Sequence, residues 1–178
     1  GGRSFEFLQC NAQEPVEVMA RRAVALAKAR HGVVVAAGGD GTINAVANAV
    51  MGSGCPFGVL PQGTFNYFGR EHAIAQDTRK AALSLLEVHL SPVQAGRVNG
   101  RVFLVNASLG LYPQILEDRE AWKNQLGRSR FVAFLSGIAS LLRSRHQLRL
   151  RIESDGQTVS LRTPTLFVAN NRLQLAQT

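Results

Sequence analysis

Residues Val33 to Asn44 read VVVAAGGDGTIN, an apolar strand that runs straight into a glycine-flanked aspartate and then into helix-forming residues. That order leaves few folds open. A nearly unbroken apolar strand belongs to a parallel sheet covered on its faces, and the turn after it is where such a chain meets a ligand. Gly38, Gly39 and Gly41 carry no Cβ, so the backbone can turn sharply and bring its N–H groups close to polyphosphate oxygens. Thr42 or Asp40 is expected to cap the following helix, whose free N–H groups add partial positive charge. Asp40 stands apart. A carboxylate beside phosphates repels them unless a cation lies between, so it points to magnesium, held directly or through water, or to a proton-accepting role. Gly-Asp-Gly is also ordinary turn chemistry, so the string takes its meaning from its surroundings.

Those surroundings alternate helix and strand. After Glu14-Pro15, Val16, Met19, Ala20, Ala23 and Ala27 recur at helical spacing, and His31-Gly32 ends that helix. Val33 to Ala37 form the strand and Ile43 to Met51 the next helix, which Gly52-Ser53-Gly54-Cys55-Pro56 breaks. Phe57 to Leu60 make a second short apolar strand, stopped at Pro61; two strands joined through a helix imply a right-handed parallel βαβ unit. The loop PQGTFN, Pro61 to Asn66, leads into further helix, and Asp77 to Val88 is helical with a cap at Asp77. Around Ser91-Pro92 the pattern changes. Asn99-Gly100 and Asp155-Gly156 each sit between strand-like runs and read as tight hairpin turns, while Phe103 to Asn106 and Thr165 to Ala169 read as strands. Phe131, Phe134, Leu135, Ile138 and Leu142 recur at helical spacing and suit a core-packing helix better than a lipid-contacting one.

Charge separates the halves. The chain of 178 residues carries a formal charge of +8, with 8 basic and 7 acidic side chains in residues 1–90 but 12 and 5 in residues 91–178. Arg128, Arg130, Arg143, Arg145, Arg149 and Arg151 surround one apolar segment, which fits either an anionic surface or a solvated arginine face. The charge-free run at 131–142 falls short of the roughly 20 residues a membrane-spanning helix needs. Two cysteines, Cys10 and Cys55, make neither a disulfide framework nor a metal cluster, and no apolar leader opens the sequence, so a reducing cytoplasm is expected. His72 beside Arg70-Glu71 reads as a helix-end surface residue, and Arg70 as a solvated or phosphate-reaching arginine. Trp122 and Lys123 lie in a polar stretch, Glu117 to Arg130, expected to be an exposed helix or mobile loop.

Two phosphate-type loops, GGDGTIN at 38–44 and PQGTFN at 61–66, each follow a parallel strand. Together with Ser91-Pro92-Val93, Gly96 to Gly100, Phe103 to Asn106, Ser108-Leu109-Gly110 and Val168 to Asn171, the pairing resembles the diacylglycerol kinase catalytic domain family, including bacterial lipid kinases and sphingosine kinases, and more distantly the NAD kinases. The resemblance implies an α/β fold: a Rossmann-like parallel sheet with helices on both faces over residues 1–90, its first strand lacking, and then a partial β-sandwich over 91–178, incomplete at its C-terminus, with the active site in the cleft between them. It implies that Gly38, Gly39, Asp40, Gly41 and Thr42 hold ATP phosphates and Mg2+, with Asn44 supporting the turn, and that Gly63, Thr64 and Asn66 form the second wall. Asn66 reads equally as a helix cap. Asp40 is the catalytic and metal candidate, and the acceptor would be a lipid hydroxyl at a membrane surface.

The sequence departs from the family pattern at Tyr67 and Gln94, where an aspartate is common, and the glutamate proposed to activate the acceptor lies in the family beyond the residues matched here. The implied function is ATP-dependent phosphorylation of a diacylglycerol-like or sphingoid lipid by a cytoplasmic protein that meets the membrane peripherally through its basic second half. A soluble kinase of the NAD kinase kind and a non-catalytic nucleotide- or lipid-sensing module are the alternatives. A homodimer is compatible with the sequence. Nucleic acid is not an expected partner, because the basic residues lack interleaved exposed aromatics or a reading motif.

Overall fold

A computed structural model describes residues 4–10, 13–87, 89–110 and 147–171. The chain is mixed α/β and divides into two compact units, residues 1–106 with 169–178, and residues 107–168. In the first unit, helix α1 (Val16–Ala29) begins after Pro15, whose fixed φ suits a helix entry, and buries Met19, Ala20 and Val24. Strand β1 (Val34–Gly38) follows, then helix α2 (Asp40–Val50) and strand β2 (Phe57–Pro61). β1 and β2 pair in parallel, with Val34 opposite Phe57 and Gly38 opposite Pro61. The expected βαβ unit is therefore present, with parallel pairing over these two strands.

Alternation along β1 sends Val34 and Ala36 inward, while Val35 stays 42% exposed. The inward side chains meet Ala20 and Val24 of α1, Ile43, Val46 and Ala47 of α2, and Val59 of β2 in one apolar cluster. Two short helices come next, α3 (Tyr67–Glu71) and α4 (Thr78–Ser84). Asp77 caps α4 as expected by accepting the Lys80 N–H at 2.9 Å, although the helix ends sooner than the sequence pattern suggested. The Leu85 side chain beyond it lies over Gly58, where a Cβ would come within 2.9 Å.

Strands β3 (Gly96–Val98) and β4 (Arg101–Phe103) form the hairpin expected at Asn99-Gly100, both of which adopt positive φ (48° and 81°). β4 ends at Phe103 and does not continue to Asn106, as the apolar run had suggested. Its neighbours explain why: β4 docks on α2 and not on a further strand. Asn44 and Asn48, four residues apart on one helix face, take the place of that strand. The Asn48 carboxamide accepts the Val102 N–H at 2.8 Å and donates to the Val102 carbonyl at 2.8 Å, while Asn44 accepts the Leu104 N–H at 3.0 Å and donates to the Val102 carbonyl at 3.3 Å. Val102 and Leu104 thereby enter the cluster beneath α2. The contact boundary thus falls at residue 106, beyond the change of sequence character near residue 90.

In the second unit, strand β5 (Asn106–Gly110) pairs with β8 (Thr165–Ala169), and β6 (Leu148–Ser154) with β7 (Gln157–Thr163) in the antiparallel hairpin expected around Asp155-Gly156. The expected apolar helix at 130–142, Trp122 with Lys123, and Arg128, Arg130, Arg143 and Arg145 lie outside the described residues. Among the described residues no helix is long and apolar enough to cross a membrane.

Asn48→Ala removes the acceptor of the Val102 N–H and the shorter of the two side-chain donors to the Val102 carbonyl, and should destabilise the first unit by about 1–3 kcal/mol, read as a lowered urea midpoint. Asn44→Ala, which loses a longer donor bond, should cost less. An unchanged midpoint in Asn48→Ala would show that β4 docks without the carboxamide.

Candidate functional site

The two glycine loops are one structure. Gly39 precedes α2 as its N-cap in extended conformation, and Asp40 is the first helical residue, so the helix starts three residues earlier than its apolar pattern suggested. Neither Asp40 nor Thr42 caps it. The first intrahelical bond runs from the Ile43 N–H to the Gly39 carbonyl at 3.0 Å, which leaves the N–H groups of Asp40, Gly41 and Thr42 without helical partners. No side chain caps this end.

The Asp40 carboxylate instead reaches the second loop. Its Oδ2 accepts the Tyr67 N–H and its Oδ1 the Phe68 N–H, each at 3.1 Å. These are the first two N–H groups of α3, so one half-buried carboxylate answers the exposed donors and positive end of that helix while sitting at the positive end of its own. Across the same junction the Gln62 N–H donates to the Gly38 carbonyl at 2.9 Å, extending the β1–β2 ladder past Pro61.

Steric space tells the glycines apart. A Cβ on Gly38 would lie 2.8 Å from Thr42 Cβ, so the threonine side chain fills that space. A Cβ on Gly63 would lie 2.6 Å from Gly39 Cα, so the loops approach backbone to backbone. Gly41 differs: it is exposed, and nothing lies within 4 Å of where its Cβ would be. Of the glycines expected to admit phosphate, Gly41 presents open space beside unpartnered N–H groups, while Gly38 makes room for Thr42 of its own loop and Gly39 and Gly63 let the two loops meet.

Two of the candidate asparagines, Asn44, expected to support the turn, and Asn66, expected in the second wall or as a cap, make hydrogen bonds within the protein. Asn44 points to β4, as described above. Asn66, 6% exposed, adopts left-handed φ (50°), accepts the Gly63 N–H at 2.7 Å and donates to Gln76 Oε1 at 3.0 Å. It occupies the N-cap position of α3 but makes no side-chain cap bond, because its carboxamide closes the loop behind it. Thr64 is exposed, beside Phe65, which is 60% exposed and stacks on the Tyr67 ring at 5.5 Å and 7°. Gln94 contributes its carbonyl, which accepts from Asn170 Nδ2 at 3.0 Å. Arg70 is exposed, and His72 closes α3 with its ring 4.5 Å from that of Phe68, a helix-end position as expected.

Sequence reasoning gave no role to Gln76 or Asn171. Gln76 holds Asn66 from ten residues away, a pairing no local pattern announces. Asn171, 2% exposed, donates to the Tyr67 carbonyl at 3.0 Å and so braces the second loop, while Asn170 donates to the Gln94 and Leu104 carbonyls. Among the described residues no group of three or more His, Cys, Asp and Glu side chains could hold a metal. Asp40 is the carboxylate that these two loops supply, and each of its oxygens keeps further lone pairs beyond the N–H it accepts. That donor set suits Mg2+ arriving on phosphates with its own waters, and does not suit a protein-built metal cage.

Residues 2–98 match the family model of the diacylglycerol kinase catalytic domain. A diacylglycerol kinase of Staphylococcus aureus strain JH9 is 35% identical over 127 residues, covering 70% of this chain and 39% of that protein, and the corresponding protein of strain Newman gives the same values. The crystal structure of a diacylglycerol kinase from Bacillus anthracis superposes with a TM-score of 0.62 at 20% identity over 92% of this chain and 52% of that one, a likeness of fold. The matched region thus spans well under two thirds of each relative.

Gly63→Ala should force the two loops apart and lower stability by about 1–3 kcal/mol, measured by thermal or urea unfolding. Gly41→Ala, with open space for its methyl group, should leave stability unchanged or raise it by up to about 1 kcal/mol, as for glycine replaced within a helix. Equal effects of the two substitutions would contradict the packing described here.

Proposed function

The chain belongs to the diacylglycerol kinase catalytic domain family, and from that membership we propose that it serves ATP-dependent transfer of the γ-phosphate to the hydroxyl of a diacylglycerol-like or sphingoid lipid. The observation that carries the reading is the uncapped start of α2 beside Gly41, held against the second glycine loop by Asp40. Phosphoryl transfer asks a protein mainly for positioning and charge neutralisation, and a rigid double loop of backbone donors supplies both.

In this reading the N–H groups of Gly41 and Thr42 donate to phosphate oxygens, and the exposed Thr64 hydroxyl lines the other wall. Mg2+, when bound, offsets the repulsion between Asp40 and the phosphates and neutralises charge developing on the transferred group. Asp40 would hold the metal, directly or through water, by the lone pairs its oxygens keep, and it positions the second loop through the two N–H groups they accept. The parallel pair β1–β2 would be part of a Rossmann-like sheet, and the strands of the second unit part of a β-sandwich that receives the acceptor. Cytoplasmic placement with peripheral membrane contact follows from the same reading.

The deciding measurement is transfer of label from γ-labelled ATP·Mg to a lipid extract, with NAD as a separate acceptor. Label is expected in an organic-soluble product and should be lost in Asp40→Ala; label on NAD, or nucleotide binding without transfer, would refute the lipid kinase reading. Gly41→Ala should weaken nucleotide binding about tenfold with no loss of thermal stability, the combination expected where backbone approaches a ligand. Asp40→Asn, which keeps one acceptor oxygen, should raise the Mg2+ concentration needed for half-maximal activity as well as destabilise the loop by about 1 kcal/mol. A stability change with unaltered Mg2+ dependence would confine Asp40 to a structural role.

A further inference from the structure

The β6–β7 hairpin brings like charges together. Its register sets Arg149 directly opposite Arg162 and Arg151 opposite Ser160. Side chains alternate between faces along a strand, so these four residues share one face, while Leu148, Leu150, Ile152, Val159 and Leu161 share the other. Like charges directly opposite in an antiparallel pair destabilise it, and the diagonal from Arg151 to Arg162 is only about 7–8 Å. Glu153 pairs with Arg151 at 2.9 Å, but among the described residues no carboxylate pairs with Arg149 or Arg162. An open cavity of about 380 Å³ lies at this place, lined by Arg149, Leu150, Arg151, Ser160, Leu161 and Arg162.

We propose that this face of β6–β7 is a binding site for a phosphate group. Arg149 and Arg162 present two guanidinium forks to its oxygens and the Ser160 hydroxyl a neutral donor, while Arg151 is already paired with Glu153. Two guanidinium groups beside one cavity exceed what a single carboxylate would neutralise, and they match a phosphate with its higher charge and several oxygens. The turn end of the hairpin carries Glu153 and Asp155, so positive charge is confined to the end where the cavity lies. That confinement favours a discrete phosphate over a charge spread along a membrane. A bound phosphate also offsets the Arg149–Arg162 repulsion, which no carboxylate among the described residues compensates. The residues of the site all belong to the second unit.

The phosphate can be free or part of a lipid headgroup, and binding to two probes separates these sources: inorganic phosphate, and vesicles of phosphatidylcholine with or without phosphatidic acid. The protein is compared with R149Q/R162Q, with R149K/R162K, and with R21Q/R22Q, which removes the same charge from the exposed face of α1. The glutamine pair on the hairpin should weaken binding by about tenfold, the lysine pair by less, and the α1 pair hardly at all. A loss on vesicles alone assigns the lipid headgroup, and a loss with inorganic phosphate assigns the phosphate group as such. R149Q/R162Q should melt no lower than the parent at low salt, because the contact removed is repulsive. Undiminished binding by R149Q/R162Q to both probes, or an equal loss in R21Q/R22Q, would overturn the proposal. Binding by R149K/R162K as tight as the parent's would overturn the role of the guanidinium forks.

Discussion

The first unit depends on one carboxylate. Asp40 begins α2 and accepts the first two N–H groups of α3, so it fixes the second glycine loop relative to the first. Remove it, and α3 keeps buried Phe68 and Gly69 beside a helix start with no acceptor. The contact is economical because a charged acceptor strengthens both hydrogen bonds, and the same charge favours the positive ends of two helices. Its further effect is selective: the donors of α3 are satisfied, while those at the start of α2 stay open. An anion entering this site therefore finds donors on one loop and a rigid wall on the other.

Glycine has three different uses in this small region. Gly38 makes room for Thr42, Gly39 and Gly63 let two backbones touch, and Gly41 leaves space that no protein atom fills. The sequence string GGDG shows all of them as equivalent. Only the first two uses are accounted for by the fold. A helical glycine with open surroundings is less stable than alanine there, and the proposed approach of a phosphate to the backbone would account for it.

Much of this was legible in the sequence because it rests on short-range rules. The apolar run and glycine turn predicted β1 and the helix after it; Asn99-Gly100 and Asp155-Gly156 predicted hairpins through their tolerance of positive φ. Asp77 was readable as a cap for the same reason, since its partner Lys80 is three residues away. What escaped reading was long-range. Asn44 and Asn48 bond to a strand more than fifty residues on, and nothing local distinguishes a carboxamide that serves a strand from one that serves a ligand. Asn66 presented the same ambiguity, resolved only by Gln76 and the Gly63 N–H. Asp40 looked like a cap and is one, but of α3, a helix its own sequence neighbourhood does not contain.

Tyr67 shows how this site accommodates a change that the family pattern alone makes look damaging. Position 67 is used chiefly through its backbone: its N–H donates to Asp40 and its carbonyl accepts from Asn171. Neither bond requires a particular side chain. An aspartate at 67 would set a second carboxylate at the residue whose N–H already serves Asp40, and such a pair calls for a cation to hold both charges. With tyrosine the ring turns to stack on Phe65, and the local negative charge falls to that of Asp40 alone. In the proposed reading a magnesium ion would gain less from protein carboxylates and more from the phosphates that bring it, so metal and nucleotide binding would be interdependent. The loop architecture, carried at position 67 by backbone bonds, would then stay the same whichever of the two supplies the metal affinity.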